Sequence, residues 1–333
     1  MIMTRTDILL GKFLENGFRS PGIAWIAPGL VGETPGDRTY LVIMGIFPIP
    51  DPAPSADPGK VLVAPFAAAH YYRDCVKRLK ALVSELQRGT GVSKQHVRLF
   101  SNSRLPERSI AAALGIGWVG RNGLLMNREY GSSFVLAGIL ASLDEGEISR
   151  LRGNEDLARI SSLEAPADPH GECGSCRACV SACPTGAIAE SGGVRLERCL
   201  QYLATTREDL PDFARKVWGR RLYGCMDCQN SCPVNRRRSV HADGDSLGRE
   251  EYPIRDLLPK FASPAEKGLK KIFPDTALEA SWIPREAILR NLLTAAGNSG
   301  DPSLEQLIRP FLEEKHPVVK TAAARALDRI FSK

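Results

Sequence analysis

Runs of apolar and polar residues alternate along the first half of the chain in a way that predicts strands between helices. Short apolar runs bounded by glycine or proline are typical of buried strands, whereas apolar residues recurring every three or four positions indicate an amphipathic helix. Strands are predicted over 40–47, 61–66, 97–100 and 134–143. Helices are predicted over 71–88 and 108–114, the second leading into a glycine-rich turn at 115–120. This alternation predicts an α/β domain over residues 1–162.

The second half of the chain has a different pattern. Residues 144–171 are polar and predict a linker or surface excursion. From residue 252 onward the spacing is helical, with helices predicted over 285–296, 302–314 and 317–331 and a C-cap at Gly297. The last two helices, joined by a short connection, look like a HEAT-type repeat pair, and the alanine-rich final helix permits close packing. A helical domain is therefore predicted over 246–333.

Composition narrows the class of protein. The 333 residues leave room for two or three domains, and 43% hydrophobic with 25% charged residues is ordinary for a globular protein. The N-terminus shows no signal-peptide pattern, and the longest apolar runs are about half of the roughly 20 residues needed to span a bilayer. We therefore expect a cytoplasmic protein. The net charge of +6 permits an anionic partner such as RNA and is equally explained by a solvated surface.

Cysteine spacing carries the strongest chemical signal. In the cytosol, clustered cysteines indicate metal or redox chemistry rather than disulfides. Cys173, Cys176, Cys179 and Cys183 are spaced C-x2-C-x2-C-x3-C and are followed by proline. This is the bacterial ferredoxin run, in which the first three thiolates hold one cubane and the fourth reaches another. A second half follows as C-x2-C-x3-C-P over 225–233.

The second half is one ligand short, and Cys199 completes the count. We therefore predict two 4Fe–4S clusters over 163–245, using every cysteine except Cys75, which we expect to be a small buried hydrophobe. One cluster takes Cys173, Cys176, Cys179 and Cys232, and the other takes Cys183, Cys199, Cys225 and Cys228. The alternative is zinc, because paired C-x2-C knuckles also make tetrahedral sites, although zinc motifs seldom pack cysteines this densely before proline in both halves.

The residues around the cysteines form a recognisable frame. It comprises Cys-Gly-x-Cys-x2-Cys-x3-Cys-Pro-Thr-x-Ala-Ile at 173–188 and further motifs at 106–108, 115–122, 131–132, 198–203, 224–229, 232–235, 289–291 and 296–298. This frame resembles the epoxyqueuosine reductase family, whose cobalamin and two-cluster core is shared with reductive dehalogenases. The resemblance extends over about 40–330.

The resemblance implies an α/β domain that cradles cobalamin, a ferredoxin-like cluster module and a helical repeat that docks tRNA. It also implies a flavodoxin or ferredoxin-type electron donor; we expect neither a membrane nor DNA as a partner. The residues expected near cobalamin are Tyr72, Asn102, Gly117, Trp118, Gly120, Arg121 and Asn122. The basic residues considered for RNA contact are Arg290, Arg309, Lys320, Arg325, Arg329 and the run Arg236, Arg237 and Arg238.

One departure from the family pattern leaves the reaction open. The family carries Asp-Ser-Ala-Pro-x-x-Glu-Arg, whose aspartate is taken as the proton donor, whereas here the stretch is Ser-Asn-Ser-Arg-Leu-Pro-Glu-Arg at 101–108. Ser101 or Asn102 stands in place of the acid, and neither donates a proton at neutral pH as a carboxylic acid does. Three hypotheses follow: a cobalamin-dependent reductase, an electron-transfer or corrinoid-reducing protein without its own substrate, and a cluster-stabilised scaffold. No catalytic residue is assigned.

Overall fold

The computed structural model describes residues 4–33, 36–50, 57–151, 157–163, 171–237, 250–263 and 268–332. Its strands are β1 Arg19–Ile26, β2 Thr39–Pro48, β3 Lys60–Val63, β4 Val97–Phe100, β5 Trp118–Val119, β6 Leu125–Met126, β7 Phe134–Leu143, β8 Arg159–Ile160, β9 Arg221–Tyr223 and β10 Glu251–Pro253. Its helices are α1 Arg5–Glu15, α2 Pro65–Ala68, α3 Tyr71–Thr90, α4 Glu107–Ala113, α5 Glu145–Leu151, α6 Ala178–Ala182, α7 Leu200–Leu203, α8 Asp212–Val217, α9 Asp227–Asn230, α10 Pro233–Arg237, α11 Ile254–Ala262, α12 Leu269–Ile272, α13 Arg285–Ser299, α14 Glu305–Ile308 and α15 Pro317–Phe331.

The chain divides into two compact units, each assembled from separate stretches. The first comprises Met1–Ile49, Tyr71–Cys176 and Pro233–Ala242. The second comprises Pro50–His70, Arg177–Cys232 and Asp243–Lys333. The three consecutive domains expected from sequence, 1–162, 163–245 and 246–333, stay a prediction of organisation, and the boundary at 245 lies outside the described residues.

A five-stranded sheet forms the centre of the first unit, in the order β4-β7-β2-β1-β8. All neighbours are antiparallel except β1 and β8, which are parallel, and β2 pairs with β7 along its whole length. On one face of β2, Met44 packs in a core with Ile110 of α4 and Leu125 of β6. On the other face, a side chain at Gly45 would meet the Phe13 ring of α1 at 3.5 Å. Both faces are covered, which explains why β2 is a continuous apolar run in the sequence.

The predicted strands over 40–47, 97–100 and 134–143 and the predicted helices over 71–88 and 108–114 are confirmed. Hydrophobic spacing did not predict α1 and β1. The start of α1 nevertheless has a recognisable signal, because Thr4 and Asp7 form a capping box. The polar stretch after residue 143 contains α5 rather than only a linker. Glu147 and Leu151 anchor this helix, since both side chains are buried.

A second, three-stranded sheet lies in the second unit and has the order β10-β3-β9. The apolar run over 61–66, which we expected in the sheet of the first domain, supplies β3 to this sheet instead. It ends at Val63 because Pro65 begins α2, where a missing backbone N–H is harmless. Within the described residues, no helix is both long and apolar enough to cross a membrane.

Two predictions about the C-terminal helices are wrong. The expected C-cap at Gly297 lies inside α13, which continues to Ser299 and is capped by Gly300 at φ +66°. The helix expected over 302–314 is broken into Pro302–Leu304, α14 and Arg309–Glu313. Pro310 explains the break, because it has no N–H to continue the helical ladder. The helix over 317–331 is confirmed as α15.

Candidate metal centre and cofactor site

Two of the cysteine-bearing turns are tied together by a reciprocal pair of hydrogen bonds. The Thr185 hydroxyl donates to the Arg198 carbonyl, and Arg198 Nε donates to the Thr185 carbonyl, both at 2.7 Å. Thr185 is buried, and the chain between the two residues folds back through an isolated bridge of Ile188 with Val194. Cys183 and Cys199 therefore lie at the same end of this small loop.

Cys225 is held at the end of β9 by a sharp turn at Gly224. This glycine has φ +102°, and a Cβ here would lie 2.3 Å from the Ala64 side chain. The Asp227 carboxylate then accepts a hydrogen bond from Arg221 Nη2 at 2.6 Å and contacts the Cys225 thiol at 3.6 Å. The thiol is thus fixed at the start of α9, the helix that carries Cys228.

The electrostatics of the thiols show that several of them are close together. Burial raises the pKa of the Cys228 thiol to about 12, with further contributions from Cys225, Cys199, Cys179 and Cys183. Burial likewise raises the pKa of Cys225 to about 11. Iron binds the thiolate form, so these buried thiols need a cationic centre to ionise at neutral pH. The Cys228 thiol therefore lies close to cysteines of both predicted ligand sets, and the division of the cysteines between two clusters stays a prediction.

The pKa of Cys183 shifts in the opposite direction from the pKa values of Cys225 and Cys228. Burial by itself raises its pKa, but a contact with the Thr185 hydroxyl and hydrogen bonds from the backbone of Thr185, Ala187 and Ile188 outweigh burial, and the pKa falls below its ordinary value. The Ala187 N–H donates to the Cys183 sulfur at 3.2 Å. Such N–H to sulfur bonds stabilise a thiolate and are among the features that tune an iron–sulfur cluster. Sulfur ligands with this environment fit a cluster.

The two cysteine halves have matching local structure. Cys179 lies on α6 and Cys228 on α9, and these two helices pack together. Each helix is followed by a cysteine and then a proline, with Cys183 N donating to Val180 O at 3.3 Å and Cys232 N donating to Gln229 O at 3.1 Å. The match is what a duplicated ferredoxin-like motif requires.

The remaining two cysteines of the cluster motif are Cys173 and Cys176. Cys173 and Cys176 belong to the first unit, where Cys176 N donates to Cys173 O at 2.9 Å. Their assignment with Cys179 and Cys232 stays a prediction from spacing. Among the described residues, no three metal-ligating side chains converge to hold a single ion. A cubane does not require such convergence, because its four thiolates bind four different irons. Cys75 is fully buried on α3.

The predicted cofactor residues of the glycine turn lie in a hairpin of β5 and β6. A Cβ at Gly117 would lie 2.0 Å from the Met126 carbonyl, and one at Gly120 would lie 3.0 Å from Asn122 Oδ1. Asn122 is buried, and its Oδ1 accepts from Leu124 N at 3.2 Å. Gly117, Gly120 and Asn122 are thus explained by closure of the hairpin itself, and not only by a close approach to a ligand.

The other predicted cofactor residues differ in their surroundings. Trp118 Nε1 is shielded from solvent and has no acceptor within the described part of the chain, so a polar ligand atom could accept its hydrogen bond. Arg121 Nη2 donates to the Gly174 carbonyl at 2.9 Å. Tyr72 lies in the first turn of α3, and Asn102 follows β4. Which of these residues contact a cofactor stays a prediction.

The loop after β4, where the family carries its acid, is tightly held. Asn102 is exposed and has φ +55°, a left-handed conformation that asparagine tolerates better than most residues. The Glu107 carboxylate accepts from Asn102 N at 3.2 Å and from Ser103 N at 2.6 Å. The Ser101 hydroxyl donates to the Leu136 carbonyl at 2.7 Å. Both oxygens of Glu107 are therefore engaged in holding the loop.

Two asparagines that we had not singled out as site residues organise this region. Asn127, which is buried, donates to the Ile116 carbonyl at 2.7 Å and accepts from the backbone N–H groups of Glu129 and Tyr130. Asn235 accepts from Ser132 N at 2.7 Å. The sequence contained a signal for Asn235, because the motifs at 131–132 and 232–235 both belong to the frame. Only the fold shows that Ser132 and Asn235 are in contact.

The basic residues considered for RNA contact differ in burial and in ion pairing. Arg290 is completely buried, so its assignment to a docking surface is wrong. Arg309 pairs with Glu305, and Arg325 pairs with Asp209. Arg236 and Arg237 are exposed on α10, and Arg238 lies outside the described residues.

A cavity of about 180 Å³ between α8, α13 and α15 is lined by Arg329 and by Lys216, a residue that the sequence did not suggest for RNA contact. Lys216 and Arg329 line it and have no ion-pair partner within the described residues, whereas Arg215 is neutralised by Asp209 and Asp212. The cavity therefore keeps two uncompensated cations.

Comparisons with known proteins agree with a domain that binds two iron–sulfur clusters. The profile of a 4Fe-4S double cluster binding domain matches residues 172–235. The chain is 32% identical over 263 residues to epoxyqueuosine reductase of Escherichia coli (strain K12), covering 77% of this chain and 62% of that protein. It is 27% identical over 260 residues to the epoxyqueuosine reductase of Bacillus subtilis (strain 168), covering 78% and 62%. The chain thus spans about 62% of the length of these curated relatives.

Solved structures agree at the level of the fold. A crystal structure of an epoxyqueuosine reductase with an epoxyqueuosine-modified tyrosine tRNA stem loop superposes with a TM-score of 0.74 at 22% identity, covering 98% of this chain and 90% of that chain. The enzyme of Bacillus subtilis, solved with its catalytic loop swung out of the active site, gives 0.75 at 22% identity with the same coverage. The predicted mixed α/β fold with a double-cluster domain is confirmed.

Proposed function

On the premise that the chain is a relative of the epoxyqueuosine reductases, we propose that it is an iron–sulfur oxidoreductase with two 4Fe–4S clusters and a cobalamin. The observation that carries the proposal is the cysteine motif over 172–235, which the double-cluster profile matches. The Cys228 thiol also lies close to those of Cys179, Cys183, Cys199 and Cys225. We assign Cys183, Cys199, Cys225 and Cys228 to one cluster. Cys173, Cys176, Cys179 and Cys232 complete the other ligand set. When bound, the clusters supply one-electron transfer and the corrin supplies a reducible cobalt.

Iron and sulfide analysis of anaerobically prepared protein tests the clusters. About eight irons and eight acid-labile sulfides are expected for two cubanes. Cys199→Ser should lose one cluster and leave about four irons, because it removes one of the four assigned ligands. Cys75→Ser is the matched control, since Cys75 is buried on α3, and it should keep the full complement. Stoichiometric zinc in place of iron, or a full complement in Cys199→Ser, would contradict the assignment.

Support for cobalamin comes from the hairpin of β5 and β6. Trp118 offers a buried N–H without an acceptor, which a polar group of the corrin can take. Trp118→Phe keeps the ring and removes the N–H, so it should weaken cobalamin binding by about 5–30-fold, the loss of one hydrogen bond. The affinity is measured by titrating cobalamin into protein that carries its iron–sulfur clusters and following the absorbance at equilibrium. Trp282→Phe, at an exposed position, should bind as tightly as wild type.

The substrate of the curated relatives, epoxyqueuosine in tRNA, is the first candidate. A second candidate, an electron-transfer or corrinoid-reducing protein without its own substrate, is favoured by the loop after β4. That loop offers Ser101 and Asn102 where the family has an acid, and its nearby carboxylate, Glu107, is occupied by backbone N–H groups. Electron delivery to cobalt needs no proton donor.

Anaerobic incubation with epoxyqueuosine-containing tRNA and a strong reductant separates the two candidates. We expect little or no queuosine by mass spectrometry of the digested tRNA. Asn102→Asp, or Ser101→Asp, should raise the rate, since a positioned acid typically contributes about 10²–10⁴-fold. Rapid turnover by the wild type would reject the second candidate and show that another group delivers the proton.

We further propose that the C-terminal helices, which resemble a HEAT-type repeat in sequence, meet tRNA through the cavity that Lys216 and Arg329 line. Each phosphate neutralised by a cation releases condensed counterions, so binding should weaken steeply with salt. Lys216→Ala with Arg329→Ala should weaken filter binding of tRNA and flatten its salt dependence. Arg309→Ala is the control, because Arg309 already pairs with Glu305. Salt-insensitive binding would refute this surface.

For the electron donor, we propose a flavodoxin or ferredoxin that docks beside Cys199. Leu196 and Tyr202, which flank this cysteine in sequence, are 54% and 46% exposed and offer apolar surface to a partner. Tyr202→Ser should slow cluster reduction by reduced flavodoxin in stopped-flow experiments and leave reduction by dithionite unchanged.

A further inference from the structure

A buried arginine and asparagine on α13 bind backbone carbonyls next to the cluster cysteines. Arg290 and Asn291 are both fully buried. Arg290 Nη2 donates to Leu203 O at 2.7 Å, and Nη1 donates to Thr206 O at 2.9 Å and to the Glu208 carbonyl. Within the described residues, no carboxylate forms an ion pair with this guanidinium; its hydrogen bonds go to backbone carbonyls and to the Asn291 side-chain carbonyl, while Asp209 and Glu208 attract it from a greater distance.

Asn291 joins two segments that carry predicted ligands. Its Nδ2 donates to Ala204 O at 3.0 Å and to Leu222 O at 2.9 Å. Ala204 follows α7, whose N-cap is Cys199, and Leu222 lies in β9, which leads through Gly224 to Cys225. One side chain thus fixes the spacing between the two segments from which Cys199 and Cys225 extend.

The charge of Arg290 calls for an explanation beyond packing. Burying a cation without a direct ion pair is unfavourable, and a neutral side chain could have filled the same space between helices. Burial lowers the pKa of the guanidinium to about 10, so it stays protonated at neutral pH. A 4Fe–4S cluster held by four thiolates is anionic and gains a further negative charge on reduction. A buried cation nearby, in a medium of low dielectric constant, stabilises that added charge.

We propose that Arg290 and Asn291 act as positioning residues for the cluster of Cys183, Cys199, Cys225 and Cys228, and that the Arg290 charge raises the reduction potential of that cluster. This inference rests on the proposed two-cluster function. It predicts that removing the Arg290 charge lowers the potential of that cluster.

An EPR-monitored redox titration of the anaerobic holo-protein tests the proposal. In Arg290→Met one cluster should shift to lower potential while the other stays in place, and Arg290→Lys, which keeps the charge, should restore most of the wild-type value. Arg285→Met is the matched control: Arg285 lies on the same helix, donates to the Phe261 carbonyl at 2.5 Å and stacks on its ring, so it should change neither potential.

Arg290→Gln keeps the inference testable if Arg290→Met does not fold. Its neutral amide can still donate to a backbone carbonyl, so the fold should be better retained and the same cluster should again shift to lower potential. Folded Arg290→Met or Arg290→Gln protein with eight irons and two unchanged potentials overturns this inference and leaves the proposed function standing. Wild-type protein without two clusters overturns both.

Discussion

The contact between α13 and α15 yields a sharp prediction about stability. Gly297 lies inside α13, and a Cβ there would lie 2.8 Å from Ala326 Cα and 3.3 Å from Ala326 Cβ. Alanine is better than glycine in a helix interior by about 1 kcal/mol. Overpacking a close contact, however, costs about 1–3 kcal/mol, and here the obstructing atom is backbone, which cannot rotate away. Gly297→Ala should therefore be neutral to destabilising, by up to about 2 kcal/mol.

Gly11 offers a matched control. It lies in the middle of α1, has an ordinary helical conformation, and a Cβ at this position would meet nothing within 4 Å. Gly11→Ala should therefore keep the propensity gain and stabilise the protein by about 1 kcal/mol. The two substitutions are chemically identical and should differ by about 1–3 kcal/mol.

Urea unfolding of the holo-protein followed by circular dichroism measures the two free energies. Hydrogen exchange of peptides from α1, α13 and α15 then locates each effect, since local opening is reported segment by segment. Equal stabilisation by Gly297→Ala and Gly11→Ala would refute the close contact between Gly297 and Ala326.

Three further predictions follow from the buried groups. Asn127→Ala should destabilise the protein by about 2–4 kcal/mol in urea unfolding, because three backbone groups lose their hydrogen-bond partner. Asn122→Ala should cost less, because its side-chain oxygen accepts from Leu124 N alone. Equal effects would contradict these hydrogen bonds. Thr185→Val should lose iron faster to a chelator, whereas Thr205→Val, whose hydroxyl bonds only within its own turn, should match wild type. Burial raises the pKa of the Cys75 thiol from 9.0 to about 12, so this group's stabilisation is complete below pH 9 and is lost as the pH rises towards 12. Between these values the free energy of unfolding should fall by about 1.4 kcal/mol per pH unit, and Cys75→Ala should reduce this slope.

Local patterns in the sequence determined the elements and the cluster motif. The strands over 40–47 and 134–143 and the helix over 71–88 follow from hydrophobic spacing, which local geometry translates directly into a strand or a helix. The double-cluster domain follows from cysteine spacing because three thiolates on a short loop can reach three corners of one cubane. These are short-range constraints, so one segment read by itself is sufficient.

Long-range pairing could not be read in this way. The run over 61–66 has the pattern of a strand in either sheet, and only tertiary structure pairs β3 with β9 and β10. Gly297, followed by Asn298, has the sequence pattern of a helix end. In the structure it lies inside α13, where the missing side chain allows Ala326 of α15 to pack closely. In both cases the deciding contact comes from residues distant in sequence.

The charged residues show the same division most clearly. The sequence determined that Arg290 and Arg325 lie on helices near the C-terminus, and from that position both were candidates for an RNA surface. Tertiary structure alone decided that Arg290 is buried against the carbonyls of 203–208 and that Arg325 meets Asp209. The physical reason is that a helical pattern specifies which residues share a face, whereas burial and charge compensation depend on which distant segment packs against that face.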